Sequence, residues 1–100
     1  MKIIKEIGTP AMLEQCAEEC NELAHACLKM ARWIRDENPT PADIDTMNAN
    51  LIEEMADVYL CIQEITSGKG CFKEIIDIRN EKLERWEKRI EAHKKGEKYD

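Results

Sequence analysis

From Leu13 onward apolar side chains return at alternating steps of three and four: Leu13, Cys16, Cys20, Leu23, Cys27, Met30, Ile34. That rhythm draws one stripe along an α-helix and predicts a first helix over about 10–35. Thr9-Pro10 pairs an N-cap residue with a proline suited to the first helical position. Thr40-Pro41 repeats the device, and Asp43 adds a carboxylate to the second helix's first turn. Asp36-Glu37-Asn38-Pro39 closes the first helix, because a residue before proline avoids helical angles.

Residues 41–66 are helix-compatible throughout. Asn48 and Asn50 are weak formers, and they mark a point where a short helix could separate from a main one starting near Leu51. Ser67-Gly68-Lys69-Gly70 breaks the chain. A last helix then sets Phe72, Ile75, Ile76, Arg79, Leu83, Trp86 and Ile90 on one face and runs out of apolar residues at His93-Lys94-Lys95-Gly96. No stretch alternates as a strand does. The expected fold is all-α, an antiparallel helical bundle forming one domain over residues 1–100, with 1–9 and 94–100 as flexible ends. A chain of 100 residues buries a limited share of its surface alone, so a second copy is expected to complete the bundle, as a homodimer or homotetramer.

Charge narrows the classes of partner. The net charge is −6; residues 1–68 hold 13 acidic against 5 basic side chains, and residues 69–100 hold 8 against 10. An acidic chain repels a nucleic-acid backbone, so duplex DNA or RNA is not the expected partner. No apolar run is long enough to span a membrane and MKIIKEIGTP lacks the form of a signal peptide, which points to the cytoplasm. Five cysteines, three at helical spacing among apolar residues, fit reduced, buried thiols better than disulfides. Their Cys-x3-Cys and Cys-x6-Cys spacings leave a zinc site without four ligands.

The most informative segment runs from Leu51 to Ile65. Met55-Ala56-Asp57-Val58-Tyr59-Leu60-Cys61-Ile62 is apolar on nearly every face except at Asp57, the pattern of a buried helix. An ionised carboxylate there is costly unless a cation or hydrogen bonds compensate it, and Glu54 lies one turn earlier on the same face. The first helix offers a matching pair, Glu19 and Glu22, on the flank of its apolar stripe, with Glu18 alongside. If the two pairs face each other, four carboxylates converge. They then repel unless a multivalent hard cation neutralises them, and oxygen-only ligands select Mg²⁺ or Mn²⁺. The plainer alternative is that these acids are solvated or paired with lysines.

The run Glu18-Glu19-Cys20-Asn21-Glu22-Leu23-Ala24, followed by Glu53-Glu54-Met55-Ala56-Asp57-Val58, resembles the EExxE…ExxD signature of MazG-like nucleotide pyrophosphohydrolases. The 31 residues between Glu22 and Glu54, which include Pro39-Thr40-Pro41, make a linker longer than is usual there. The resemblance implies an all-α, oligomeric, Mg²⁺-dependent enzyme that cuts a nucleoside triphosphate into a monophosphate and pyrophosphate. It places the metal on Glu19, Glu22, Glu54 and Asp57. Glu18 and Glu53 are candidates for the base that activates water.

Charge developing on departing pyrophosphate calls for cations. Lys82, Arg85 and Arg89 line one stripe of the last helix, and Lys29 is a further candidate. The same cations could instead pair with Glu81, Glu84 and Glu87. Trp33 and Trp86 could stack on a base or serve as core or interface. Three other functions stay open. One is a phosphoribosyl-ATP pyrophosphohydrolase-like enzyme, which shares the motif. Another is a di-iron carboxylate bundle, from Glu22-Leu23-Ala24-His25 read as Glu-x-x-His. The third is a non-enzymatic helical interaction module.

Overall fold

The computed structural model describes residues 1–39 and 41–97. Four helices follow in order: α1 (Ile3–Ile7), α2 (Thr9–Arg35), α3 (Ile44–Thr66) and α4 (Phe72–Lys94). No strand forms among the described residues, so the all-α expectation holds. The chain divides into two compact units, Met1–Ser67 and Gly68–Asp100.

Helix starts differ from those expected, for local reasons. Gly8 rather than Thr9 is the N-cap of α2, so Thr9 is already helical and Pro10 takes the second position. Gly8 ends α1 with its N–H on the Ile4 carbonyl and opens α2 by accepting from the Met12 N–H. It does both at φ 90°, which a residue with a Cβ adopts only under strain. The short α1 falls where the sequence shows no period, and it is fastened by the Ile4 N–H donating to Glu64 Oε1 at 2.9 Å. At the second start Thr40 lies outside the described residues, and the cap is Asp43. Its Oδ2 accepts from the Thr46 N–H at 3.1 Å and the Thr46 hydroxyl at 2.8 Å. Thus Asp43 precedes the first turn rather than sitting in it. The cap stops the helix from starting earlier, and α3 then runs unbroken through Asn48 and Asn50.

In the first unit α2 and α3 pack as an antiparallel pair. Cys16 meets Cys61, and Glu19 meets Asp57 and Glu54, so partner numbers fall on α3 as they rise on α2. The positions that lose surface on α2 include Met12, Cys16, Glu19, Leu23, Ala26 and Met30; on α3 they include Met47, Leu51, Glu54, Val58, Cys61 and Ile65. Both series step by four and three, the spacing of a coiled-coil seam.

This seam corrects the sequence reading in two ways. The stripe drawn through Leu13, Cys20, Cys27 and Ile34 shares only Cys16, Leu23 and Met30 with it; Leu13 is 51% exposed and Ile34 67%. Glu19 was placed on the flank, yet it occupies the seam itself. An apolar template skips such a position, because the acid is what breaks the pattern. Likewise α3 is not buried all round: of residues 55–62 only Cys61 is buried, and Tyr59 is 59% exposed. Cys20 and Cys27 are exposed too, so of the five free thiols Cys61 alone is buried.

The second unit holds α4, whose large apolar residues are all substantially exposed. Its end is orderly: the Glu97 N–H reaches back to the Ala92 carbonyl at 2.8 Å, with Gly96 at φ 74°. The expected loss of helix near His93–Gly96 matches the end of α4 at Lys94. Residues 98–100 of the expected flexible end lie outside the described residues. Among the described residues no helix is long and apolar enough to cross a membrane.

Candidate metal centre

Glu19 and Glu54 stand at facing seam positions, one from each helix, and Glu22 lies one turn beyond Glu19. Ligand-capable oxygens of Glu19, Glu22 and Glu54 all fall within 4.8 Å of one another. One oxygen of each seam carboxylate, Glu19 Oε2 and Glu54 Oε2, is buried and has no hydrogen-bond partner. Buried polar atoms are nearly always satisfied, so two unpartnered oxygens on facing seam residues mark a place that could take a ligand or an ion.

The electrostatics agree. Burial is the main cause holding Glu19 above the ordinary carboxylate range. A hydrogen bond from Gln15 opposes it, and the charges of Glu22 and Asp57 add to it. Glu54 is raised by burial first and then by Glu22, Asp57 and Glu19. Asp57 therefore belongs to the neighbourhood of both seam acids, half-buried beside them, although the closest trio is the three glutamates.

Gln15 is the residue that sequence reasoning missed. Its Nε2 donates to Glu19 Oε1 at 2.7 Å, which leaves the other oxygen, Oε2, as the buried one without a partner. The available signal was spacing: a glutamine four residues before a motif glutamate lies on the same helical face. Glu18 and Glu53 are adjacent in sequence to the cluster but exposed, a helical step of about 100° away from the seam.

Two thiols border the acids. Burial pushes the Cys61 thiol up, with Glu19, Cys20 and Asp57 adding to the effect, and burial likewise raises Cys16, followed by Cys20 and Cys61. Neither thiol belongs to the group whose ligand atoms converge, so among the described residues the donor set is oxygen. Buried, unpartnered, mutually repelling carboxylate oxygens fit a small hard divalent cation such as Mg²⁺ or Mn²⁺.

The expected cations sit in two other places. On α2, Lys29 shares a groove of about 510 Å³ with His25, Leu28, Arg32 and Arg35. Trp33, 39% exposed, lies near the same end of the helix. On α4, Lys82, Arg85 and Arg89 do line one stripe, together with Trp86, around a groove of about 330 Å³. An ion pair between Lys88 and Glu84, at 3.3 Å, runs beside it. His25 faces the cationic groove and is not part of the acidic trio.

No protein-family model, no curated protein and no solved structure matches this chain. A functional reading therefore rests on the chemistry of the centre itself.

Proposed function

We propose that this chain is a Mg²⁺-dependent nucleotide pyrophosphohydrolase of the MazG-like kind, converting a nucleoside triphosphate and water into a monophosphate and pyrophosphate. The observation that carries the reading is that Glu19 and Glu54 each keep one buried, unpartnered oxygen, while a carboxylate oxygen from each of them and one from Glu22 lie within 4.8 Å of one another. The three glutamates, with Asp57 beside them, would hold Mg²⁺. The ion would supply charge neutralisation at the phosphate oxygens and lower the pKa of water. Gln15 fixes the rotamer of Glu19, so that the donor oxygen is already oriented. Glu18 and Glu53, exposed next to the cluster in sequence, remain the candidates for the base that activates water.

For the leaving pyrophosphate the first unit offers Lys29 on α2, and the proposal keeps Lys82, Arg85 and Arg89, which line one stripe of α4 in the second unit, as further phosphate-binding candidates. A second copy of the chain is part of the proposal. On α3, Ile52, Met55, Tyr59 and Ile62 repeat at helical spacing and are exposed, a second apolar stripe about 100° round the helix from the seam. A homodimer or homotetramer would cover it.

The motif is shared with phosphoribosyl-ATP pyrophosphohydrolases, and that substrate belongs in the test. A di-iron bundle is disfavoured by His25, which stands among cations. A non-enzymatic interaction module leaves the orphaned acids without a purpose. The decisive assay incubates the protein with each common NTP and dNTP, and with phosphoribosyl-ATP, with Mg²⁺ and with EDTA, measuring monophosphate and pyrophosphate together. Equal release of both, lost with EDTA, is expected. Absence of turnover across the panel with Mg²⁺ and Mn²⁺ would overturn the proposal.

A further inference from the structure

We propose that a metal-bound nucleotide lies along α2 with a fixed polarity: its base enters the pocket between α1, α2 and α3, and its phosphates run toward Lys29 and Arg32. This placement rests on the carboxylate centre holding a metal nucleotide, as proposed above, and adds where each end of the substrate goes.

The pocket has a volume of about 340 Å³, at the lower end of the roughly 300–1,000 Å³ typical of small-molecule sites. It suits one flat ring system better than a whole nucleotide. Ile3 and Ile7 of α1, Met12 of α2 and Leu60 of α3 give it aliphatic walls, and Glu19 and Asp57 form its inner end. A ligand held at the acidic centre thus has an apolar pocket opening beside it.

Charge decides which end of the ligand enters. Besides Glu19 and Asp57, the lining includes Glu64, and no Lys, Arg or His lines it. With Glu19 and Asp57 engaged by the metal, a phosphate pushed past them would still meet Glu64 and no cation among the described residues, whereas a neutral base meets no such repulsion. Glu64 Oε1 is engaged by the Ile4 N–H, which holds α1 in place as a wall. Gln15 supplies the neutral hydrogen-bonding group. One of its N–H bonds goes to Glu19, and a carboxamide has a second N–H and a carbonyl oxygen left to read a base edge.

In the other direction α2 becomes cationic. Lys29 lies two turns beyond Glu22 on nearly the same face, about 10 Å along the axis at the helical rise, within reach of a triphosphate held at the glutamates. His25, Arg32 and Arg35 share its groove. Apolar pocket, acidic centre and cationic groove therefore follow one another along a single helix, in the order base, metal, leaving pyrophosphate.

The test is a methyl and amide NMR titration of the full-length protein with Mg²⁺ and non-hydrolysable α,β-imido nucleotides of each base, against Mg²⁺ with inorganic tripolyphosphate. The nucleotide is expected to shift the methyls of Ile3, Ile7, Met12 and Leu60, whereas tripolyphosphate shifts only the Lys29 to Arg35 amides and the acidic centre. Ile7→Trp, at a half-exposed position that tolerates bulk, fills the pocket. It should lower the ratio of nucleotide to tripolyphosphate affinity by about tenfold or more. Nucleotide binding with silent pocket methyls, or an unchanged ratio in Ile7→Trp, would overturn the placement while leaving the proposed reaction intact. Failure of both nucleotide and tripolyphosphate to bind with Mg²⁺ would overturn placement and reaction together.

Discussion

The acids of the α2/α3 seam and the cations of α4 handle charge in opposite ways. Lys82, Arg85 and Arg89 are exposed on α4, where water reaches them. Glu19 and Glu54 are held against each other with buried oxygens and no hydrogen bond to those oxygens. Solvated cations are ordinary surface; crowded, desolvated anions are an arrangement that folding must tolerate for another reason. The seam acids therefore carry the functional argument, and the α4 stripe only joins it.

The sharpest way to break this contrast is to neutralise one side at a time. Glu54→Gln should reduce Mg²⁺-dependent turnover by at least about 100-fold, and so should Asp57→Asn. Because Glu54→Gln also removes repulsion, the metal-free protein should melt at a higher temperature while its helical circular dichroism is unchanged. Charge removal on α4, by Arg85→Gln, should raise KM or lower kcat without moving the metal-free melting temperature. A variant of Glu54 that lost both activity and stability would show that the acid is structural.

Metal and pH probe the same repulsion from the solvent side. Divalent ion at a hundredfold excess over its dissociation constant should stabilise the fold by about 2.7 kcal/mol, read as a rise in melting temperature that EDTA reverses. Without metal, folded Glu19 and Glu54 hold protons more tightly than the unfolded chain does. Their contribution to stability is then greatest below the ordinary value of 4.5 and is lost as pH rises through the raised folded values. Mg²⁺ should flatten that decline. Asp43 works with the opposite sign: its carboxylate, held low first by the Thr46 hydroxyl, stabilises α3 above 3.8 and ceases to as pH falls through the lowered folded value.

Smaller effects separate the seam from the exposed stripe. Met47→Ala, at a 6% exposed seam position, should destabilise by about 2–5 kcal/mol through the cavity it leaves. Tyr59→Glu on the outer face of α3 should shift sedimentation toward the monomer; an unchanged sedimentation coefficient would argue that this stripe is not where copies meet.

Much of the architecture was legible because helix punctuation is local. Pro39, the Ser67–Gly70 break and the run ending at Gly96 each act within a few residues. What was not legible came from tertiary context. Residues 3–7 are too few to display a period, and they are helical because Glu64 captures a backbone N–H from across the unit. Gly8 displaced Thr9 as a cap because it had two helices to serve. The seam on α2 differs from the apolar stripe because a glutamate, Glu19, stands inside it, and an acid at a seam position removes the apolar signal that marks a core. At the centre, Glu19, Glu22 and Glu54 were identified from motif spacing and do converge. Gln15 carried no motif and emerged only from its hydrogen bond.

The central claim, that the seam carboxylates are a divalent cation site, is tested most directly by titrating Mn²⁺ into the metal-free protein and following free ion by electron paramagnetic resonance, with Glu54→Gln alongside. Saturable binding to the native chain, displaced by Mg²⁺ and weakened about 10- to 100-fold in the variant, is the predicted result. Equal binding to both proteins, or none to either, would contradict it.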